Sequence, residues 1–447
     1  LKNNFIRNLY RKYKNILIFL GKSILAILFI IVIFNLSSLF YTFYKIKEGF
    51  GIETERLTQQ LPTSRSGIFN FNVEKEILIK ETNSKSYSIK SLGVLDDNSI
   101  IVAGYYKLSN SYGTRTWIAK FNSSGEKEWE KVLGSVPSEY GHMNLLVSNK
   151  AIFLTREIRP GSFDNHETIM RKLNIDGTLL WKTSFDGKVE DVIQIEDNYL
   201  FIGIENNSNE TDTRIIDTNG DLLWQKKYKS GIAKSIMRAI DGGYIIAGMA
   251  KNKDADIILG YQTSDGFQKK SNQNAWVIKI DEKGEIEWEH IINRDSDDLQ
   301  FIDIATNDQG DIFLAGDAKY GYKVENNSII LLKLNKDGNL VWNSLISGKY
   351  YDSLNSISTL NDNNIFISAN TTSLGSGEAN GWLIKVDDKG KIIEDSTTNS
   401  LGTPTPMGYL HAMGTSQDDS IYIAGEVMNE YPNLTKNVVI YKIKSNN

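Results

Sequence analysis

Residues 69–81 read FNFNVEKEILIKE. A charged run, Glu74-Lys75-Glu76, leads into a short apolar run, Ile77-Leu78-Ile79, and the stretch reads as one lone β-strand. No hairpin partner precedes this strand in the sequence. Further along, EKEWEKVL (126–133) carries the same opening, with Trp129 where the earlier stretch has Ile77. The later copy is the last strand of a repeating unit. The earlier copy belongs to no unit of its own, and what it pairs with decides the fold.

The repeat is short and regular. Asp or Asn, two residues, Gly, three residues and Trp recur as NSSGEKEW ending at Trp129, NIDGTLLW at Trp181, DTNGDLLW at Trp224, DEKGEIEW at Trp288 and NKDGNLVW at Trp342. A further copy, DDKGKIIE, has Glu394 in the Trp position. Asp or Asn followed by Gly at this spacing supplies the positive-φ position of a tight hairpin turn. Alternating apolar strands such as TWIAKF and AWVIKI precede the turns, and the Trp sits at a constant place on the strand that follows. A large apolar ring there can fill the gap between neighbouring sheets. Upstream of each hairpin lies another strand, often ending in Ala-Gly, as in DDNSIIVAG, DGGYIIAG, DQGDIFLAG and DDSIYIAG. One more strand precedes it. Four short strands per unit of about 40–50 residues is the signature of a β-propeller blade.

The Ala-Gly-type strands count seven units, beginning near Ser88, Met143, Asp191, Ser235, Asp303, Ser356 and Ala412. The seventh ends at VVIYKIKSNN, one strand short. The strand around Ile77 is therefore expected to pair with the C-terminal strand around Ile440 and close the ring, removing two open sheet edges. The expected fold is all-β: a seven-bladed β-propeller of four-stranded blades closed by an N-terminal strand, spanning 69–447.

These D-x-x-G-x-x-x-W hairpins following Ala-Gly strands resemble the quinoprotein-like (pyrroloquinoline-quinone-type repeat) β-propeller superfamily of bacterial exported proteins. The resemblance covers residues 71–445. It implies the propeller fold and either of two roles, a quinone-dependent dehydrogenase or a scaffold without cofactor. The eight-bladed alcohol-oxidising members use a disulfide between adjacent cysteines beside the quinone, and this chain has no cysteine. Their calcium needs acidic ligands near the axis; here the acidic pairs Glu190-Asp191 and Asp297-Asp298 read as solvated. The expectation is a non-catalytic member with no cofactor.

Composition narrows the rest. The chain has 447 residues with a formal charge of −5, which gives no broad electrostatic case for nucleic acid. Without cysteine there are no disulfides, thiolate metal sites or cysteine nucleophiles. The four histidines, His142, His166, His290 and His411, show no metal-ligand spacing. Motifs for a serine hydrolase elbow, a P-loop or a zinc protease are absent. The Gly-containing turns lack the twelfth-position acid of a calcium loop.

The first 68 residues are a different material. Residues 24–44, ILAILFIIVIFNLSSLFYTFY, contain no charge and match the length of about 20 residues that spans a bilayer core. Lys2, Arg7, Arg11, Lys12, Lys14 and Lys22 precede the span. The positive-inside rule then leaves 1–23 in the cytoplasm and the propeller outside, on an uncleaved, single-pass signal anchor in the cell membrane. Residues 45–68 are polar and patternless and read as a linker.

The hairpin turns are uniform, whereas loops on the opposite side of the disc vary in length and composition. Any binding surface for a protein or a glycan is expected there, because specificity is carried by loops on a constant scaffold. The candidate residues are Tyr140, His142, Tyr350, Tyr351, Tyr409 and His411, with Tyr261 on the longest loop. No catalytic or metal-ligating residue is assigned. The rival expectation is a propeller enzyme, quinone-dependent or glycan-acting, with its site in the central channel.

Overall fold

The computed structural model describes residues 56–60, 71–80, 85–108, 114–136, 141–159, 165–206, 208, 210–251, 254–259, 273–294, 297–320, 327–374, 379–401, 407–428 and 436–444. They belong to one compact unit, Glu55–Asn447. The expected cytoplasmic segment and membrane span lie outside the described residues. Among the described residues no helix is long and apolar enough to cross a membrane.

Each sheet is built on an antiparallel meander of short strands, and in one of them Ile257–Ile258 adds a parallel edge beside Ile286–Asn293. The first contains Lys85–Val94, Ile100–Leu108, Thr114–Phe121 and Lys127–Val136 in sequence order. The next unit begins with Met143–Val147, Ala151–Ile158 and Glu167–Asn174, and continues into the 17-residue strand Leu179–Ile195. That strand pairs through Asp186 with the strand before it and from Gly187 onward with Asn198–Glu205. Gly187, at φ +144°, is where the chain passes from one ladder to the other. Thr211–Ile216 and Leu222–Tyr228 complete the second ladder. Three further meanders run over 232–293, 297–347 and 352–397.

The last sheet answers the opening question. Tyr409–Thr415, Ile421–Met428 and Lys436–Lys444 are followed in space by Asn72–Ile79. Ile77 lies opposite Ile440, the expected pairing. Phe71, buried at 3% exposure, anchors the start of this strand with its ring edge-on to Phe366.

Side chains alternate between the two faces of a strand, so each sheet feeds two cores. Ile100 and Val102 pack with Ala424, Val438 and Ile440 of the last sheet, and Ile77 joins them. Their neighbours Ile101 and Ala103 pack the other way, with Met143, Ile152 and Leu154. The same exchange links each sheet to the next in chain order. The first strands of successive sheets also lie against one another, and Tyr409–Thr415 returns to Lys85–Val94. This closed, radial arrangement of sheets around an axis is a β-propeller.

Within the supposed linker 45–68, Arg56–Gln60 is a strand, parallel to Leu340–Ser347 with Arg56 opposite Asn343. An outermost strand offers unpaired N–H and C=O groups to any extended segment within reach. Such pairing needs no side-chain pattern, so the sequence carries no sign of it.

Candidate functional site

The first strand of a sheet faces the axis, and its irregularities shape the channel wall. Six of these strands carry a bulge, between Ile89/Ser91, Val189/Asp191, Ala233/Ser235, Phe301/Asp303, Leu354/Ser356 and Leu410/Ala412. A bulge inserts one unpaired residue and re-aims the side chains beside it. The residues after the bulge occupy equivalent places around the axis, and four consecutive ones are Asp191, Ser235, Asp303 and Ser356.

These four form a continuous polar belt across sheets. Asp191 Oδ1 accepts from its neighbour Val192 N at 2.8 Å, and Oδ2 accepts from Ile236 N at 2.9 Å. Ser235 Oγ stands 3.2 Å from Asp191 Oδ2 and 3.3 Å from Asp303 Oδ1. Asp303 Oδ2 accepts from Ser356 Oγ at 2.6 Å and Ile357 N at 2.9 Å. Burial and the Asp303 charge push the Asp191 carboxyl up to about 7, against the pull of its donors. Burial also raises Asp303. Ser235 thus has a carboxylate on each side.

Beside the belt lies a second cluster. Glu190, 4% exposed, takes Lys188 Nζ and Lys234 Nζ at 3.0 Å each. Burial opposes its charge, but Lys234 and Lys188 together keep its carboxyl below the usual range. His142 Nε2 bonds the Glu190 carbonyl at 2.8 Å, and Asn144 Nδ2 donates to the same oxygen at 3.1 Å. His142 presents surface to solvent while protein surrounds it, as in the wall of a concavity. That crowding lowers its pKa, partly offset by Glu190. The pair Glu190-Asp191, expected to be solvated, is instead built into the wall. Asp297 is likewise buried and paired, with Arg294 at 3.0 Å.

The loop-side residues are spread around the disc. Tyr140 and Tyr261 lie outside the described residues. Tyr350 is 48% exposed, with Lys349 Nζ over its ring at 5.2 Å. Tyr351 is half-buried, its N–H bonded to Thr372 Oγ1 at 3.1 Å. Tyr409 is 44% exposed at the start of a first strand. His411 is the bulge residue of that strand, with Nε2 3.5 Å from Glu426 Oε1. Among the described residues no hydrogen bond, ion pair or ring contact joins any two of these side chains. No group of three or more His, Asp or Glu able to hold a metal occurs among the described residues. The belt itself was missed from sequence. Its only signal is a polar residue at one place in several units, Ser91, Asp191, Ser235, Asp303 and Ser356, which is visible once the bulges set the register.

No family model matches the chain, and no curated protein matches it. Solved structures do resemble it. A protein of unknown function from Dyadobacter fermentans aligns at TM-score 0.46 and 10% identity, over 84% of this chain and 100% of that one. The β-propeller domain of the Trilobed protease from Pyrococcus furiosus aligns at TM-score 0.43 and 11% identity, over 81% and 96%. BamB from Moraxella catarrhalis aligns at TM-score 0.38 and 13% identity, over 79% and 85%. At such scores and identities the likenesses carry nothing about a ligand or a reaction.

Proposed function

We propose that this chain is a membrane-anchored, extracytoplasmic β-propeller that acts as a non-catalytic scaffold binding a protein or a glycan on its loop side. The ring reads as seven blades, a count supported by the cyclic succession of cores and by the strand Leu179–Ile195 serving two ladders. The anchor reading rests on the uncharged span 24–44 and the lysines and arginines before it.

One observation carries the choice of face. Tyrosines in the body of the propeller are buried, as at Tyr87, Tyr105, Tyr199, Tyr228, Tyr244 and Tyr441. Tyr350 and Tyr409, at the loop-side starts of two first strands, are instead 48% and 44% exposed. Rigid tyrosines offer large contact area at small entropic cost, which suits recognition. The test is a triple variant, Tyr350→Ala, Tyr351→Ala and Tyr409→Ala, scored for binding on a glycan array and for crosslinking to neighbours in intact cells. The triple variant should keep its fold and lose at least tenfold in binding. Retained binding, together with loss on Asn335→Ala or Asp281→Ala at the turns, would place the surface on the other side.

A further inference from the structure

We propose that Asp191, Ser235 and Asp303 form a proton-binding site in the channel wall, in which one proton shared across three consecutive first strands locks those strands together. The argument is an inventory of hydrogens. Asp191 Oδ2 and Asp303 Oδ1 both stand within hydrogen-bond distance of Ser235 Oγ, at 3.2 Å and 3.3 Å. A serine hydroxyl has one hydrogen to donate. With both carboxylates ionised, one of the two contacts sets lone pair against lone pair. A proton on one carboxyl repairs it: that carboxyl donates to Oγ while the hydroxyl donates to the other.

Asp191 is the better holder of the proton. Asp303 has two donors on Oδ2 and Ile304 N at 2.9 Å on Oδ1, whereas Asp191 has one backbone N–H on each oxygen apart from the shared hydroxyl. The charges facing the site do not neutralise it. Lys188 on the same strand and Lys234 on the next are both committed to Glu190. His142, just before the preceding first strand, is bonded to the Glu190 carbonyl. Opposite the site, the second strands present Ile202, Ala247 and Ala315. Burial first, and then the like charge of Asp303, push the Asp191 carboxyl up to about 7. Asp191 and Asp303 keep intermediate exposure as residues, while protein crowds their carboxyl groups.

The sign follows from linkage. A carboxyl whose folded pKa is raised from 3.8 to about 7 contributes stability below 3.8 and loses it as pH rises through 7. The full chain is melted at constant ionic strength from pH 5.5 to 8.5. Its melting temperature should fall by about 1–4 °C across neutrality. The reading is the difference from variants that leave every other ionisable group in place. Asp191→Asn and Asp303→Asn should flatten the fall. Ser235→Ala, a small change with little risk to folding, should move its midpoint to lower pH, because the protonated form loses one more hydrogen bond than the ionised form. An unchanged slope in Asp191→Asn, or an unchanged midpoint in Ser235→Ala, overturns the proposal.

Discussion

The turn glycine and the Trp four residues after it are partners, but not of each other. A Cβ built at Gly338 would lie 2.8 Å from the ring of Trp288, in the preceding sheet, and one at Gly390 would lie 2.9 Å from Trp342. Gly177 stands in the same relation to Trp129, and Gly125 to Ile77. The indole N–H of Trp342 reaches the turn as well, donating to the Asp388 carbonyl at 2.9 Å. Each Trp is therefore read by the turn of the following sheet. This accounts for Glu394. The last sheet takes its outer strand from the N-terminus, so among the described residues no Gly turn of this kind follows the sheet that carries Glu394. Gly338 has a second reason to be glycine, φ +84°. Gly134 shares the backbone condition, at φ +75°, but has nothing within 4 Å of a built Cβ. Gly134→Ala should then cost only the left-handed strain, roughly 1–2 kcal/mol. Gly338→Ala should cost clearly more in urea denaturation, since the Trp288 ring must also move. Equal costs would show that the ring contact carries no weight.

At the scale of the element, the strand Asn72–Ile79 is a structural part of the last sheet. Ile77 packs in the core that joins the last sheet to the first, beside Val438, Ile440 and Trp117. A chain beginning at Ser88 lacks this strand, leaves Lys436–Lys444 with an open edge and uncovers that core. It should melt well below a chain beginning at Phe69 and associate through the edge, which calorimetry and sedimentation would reveal. Ile77→Ala in the intact protein should cost about 2–4 kcal/mol, since the surroundings collapse only partly around a deleted side chain. Identical melting of the two truncated chains would mean that the ring holds without its clasp. The pairing was legible because EKEILIKE copies EKEWEKVL and one strand was missing at the other end. The strand Arg56–Gln60 was not legible, because pairing to an open edge uses only backbone groups.

For the molecule as a whole, the proposed topology makes a direct prediction. Protease added to intact protoplasts should remove the propeller and leave a short membrane-bound stub, as the charge asymmetry about 24–44 requires. Digestion only after lysis would reverse the orientation. The proposed proton site adds a condition to such work, because the propeller should be more stable on the acid side of neutrality than above it.

Periodicity in the sequence determined the strands, the turns, the order of the sheets and the closing partner. Those features depend on local alternation, on glycine's access to positive φ, and on a repeat whose missing piece could be counted. The tertiary structure alone decided what lines the axis. Asp191 and Asp303 lie in different sheets, with Ser235 of a third sheet between them, and only the bulges and ring closure bring the carboxylates to one hydroxyl. Hydrogen-bond inventories and shared charge depend on distances of about 3 Å between side chains far apart in the chain, and no local pattern encodes them.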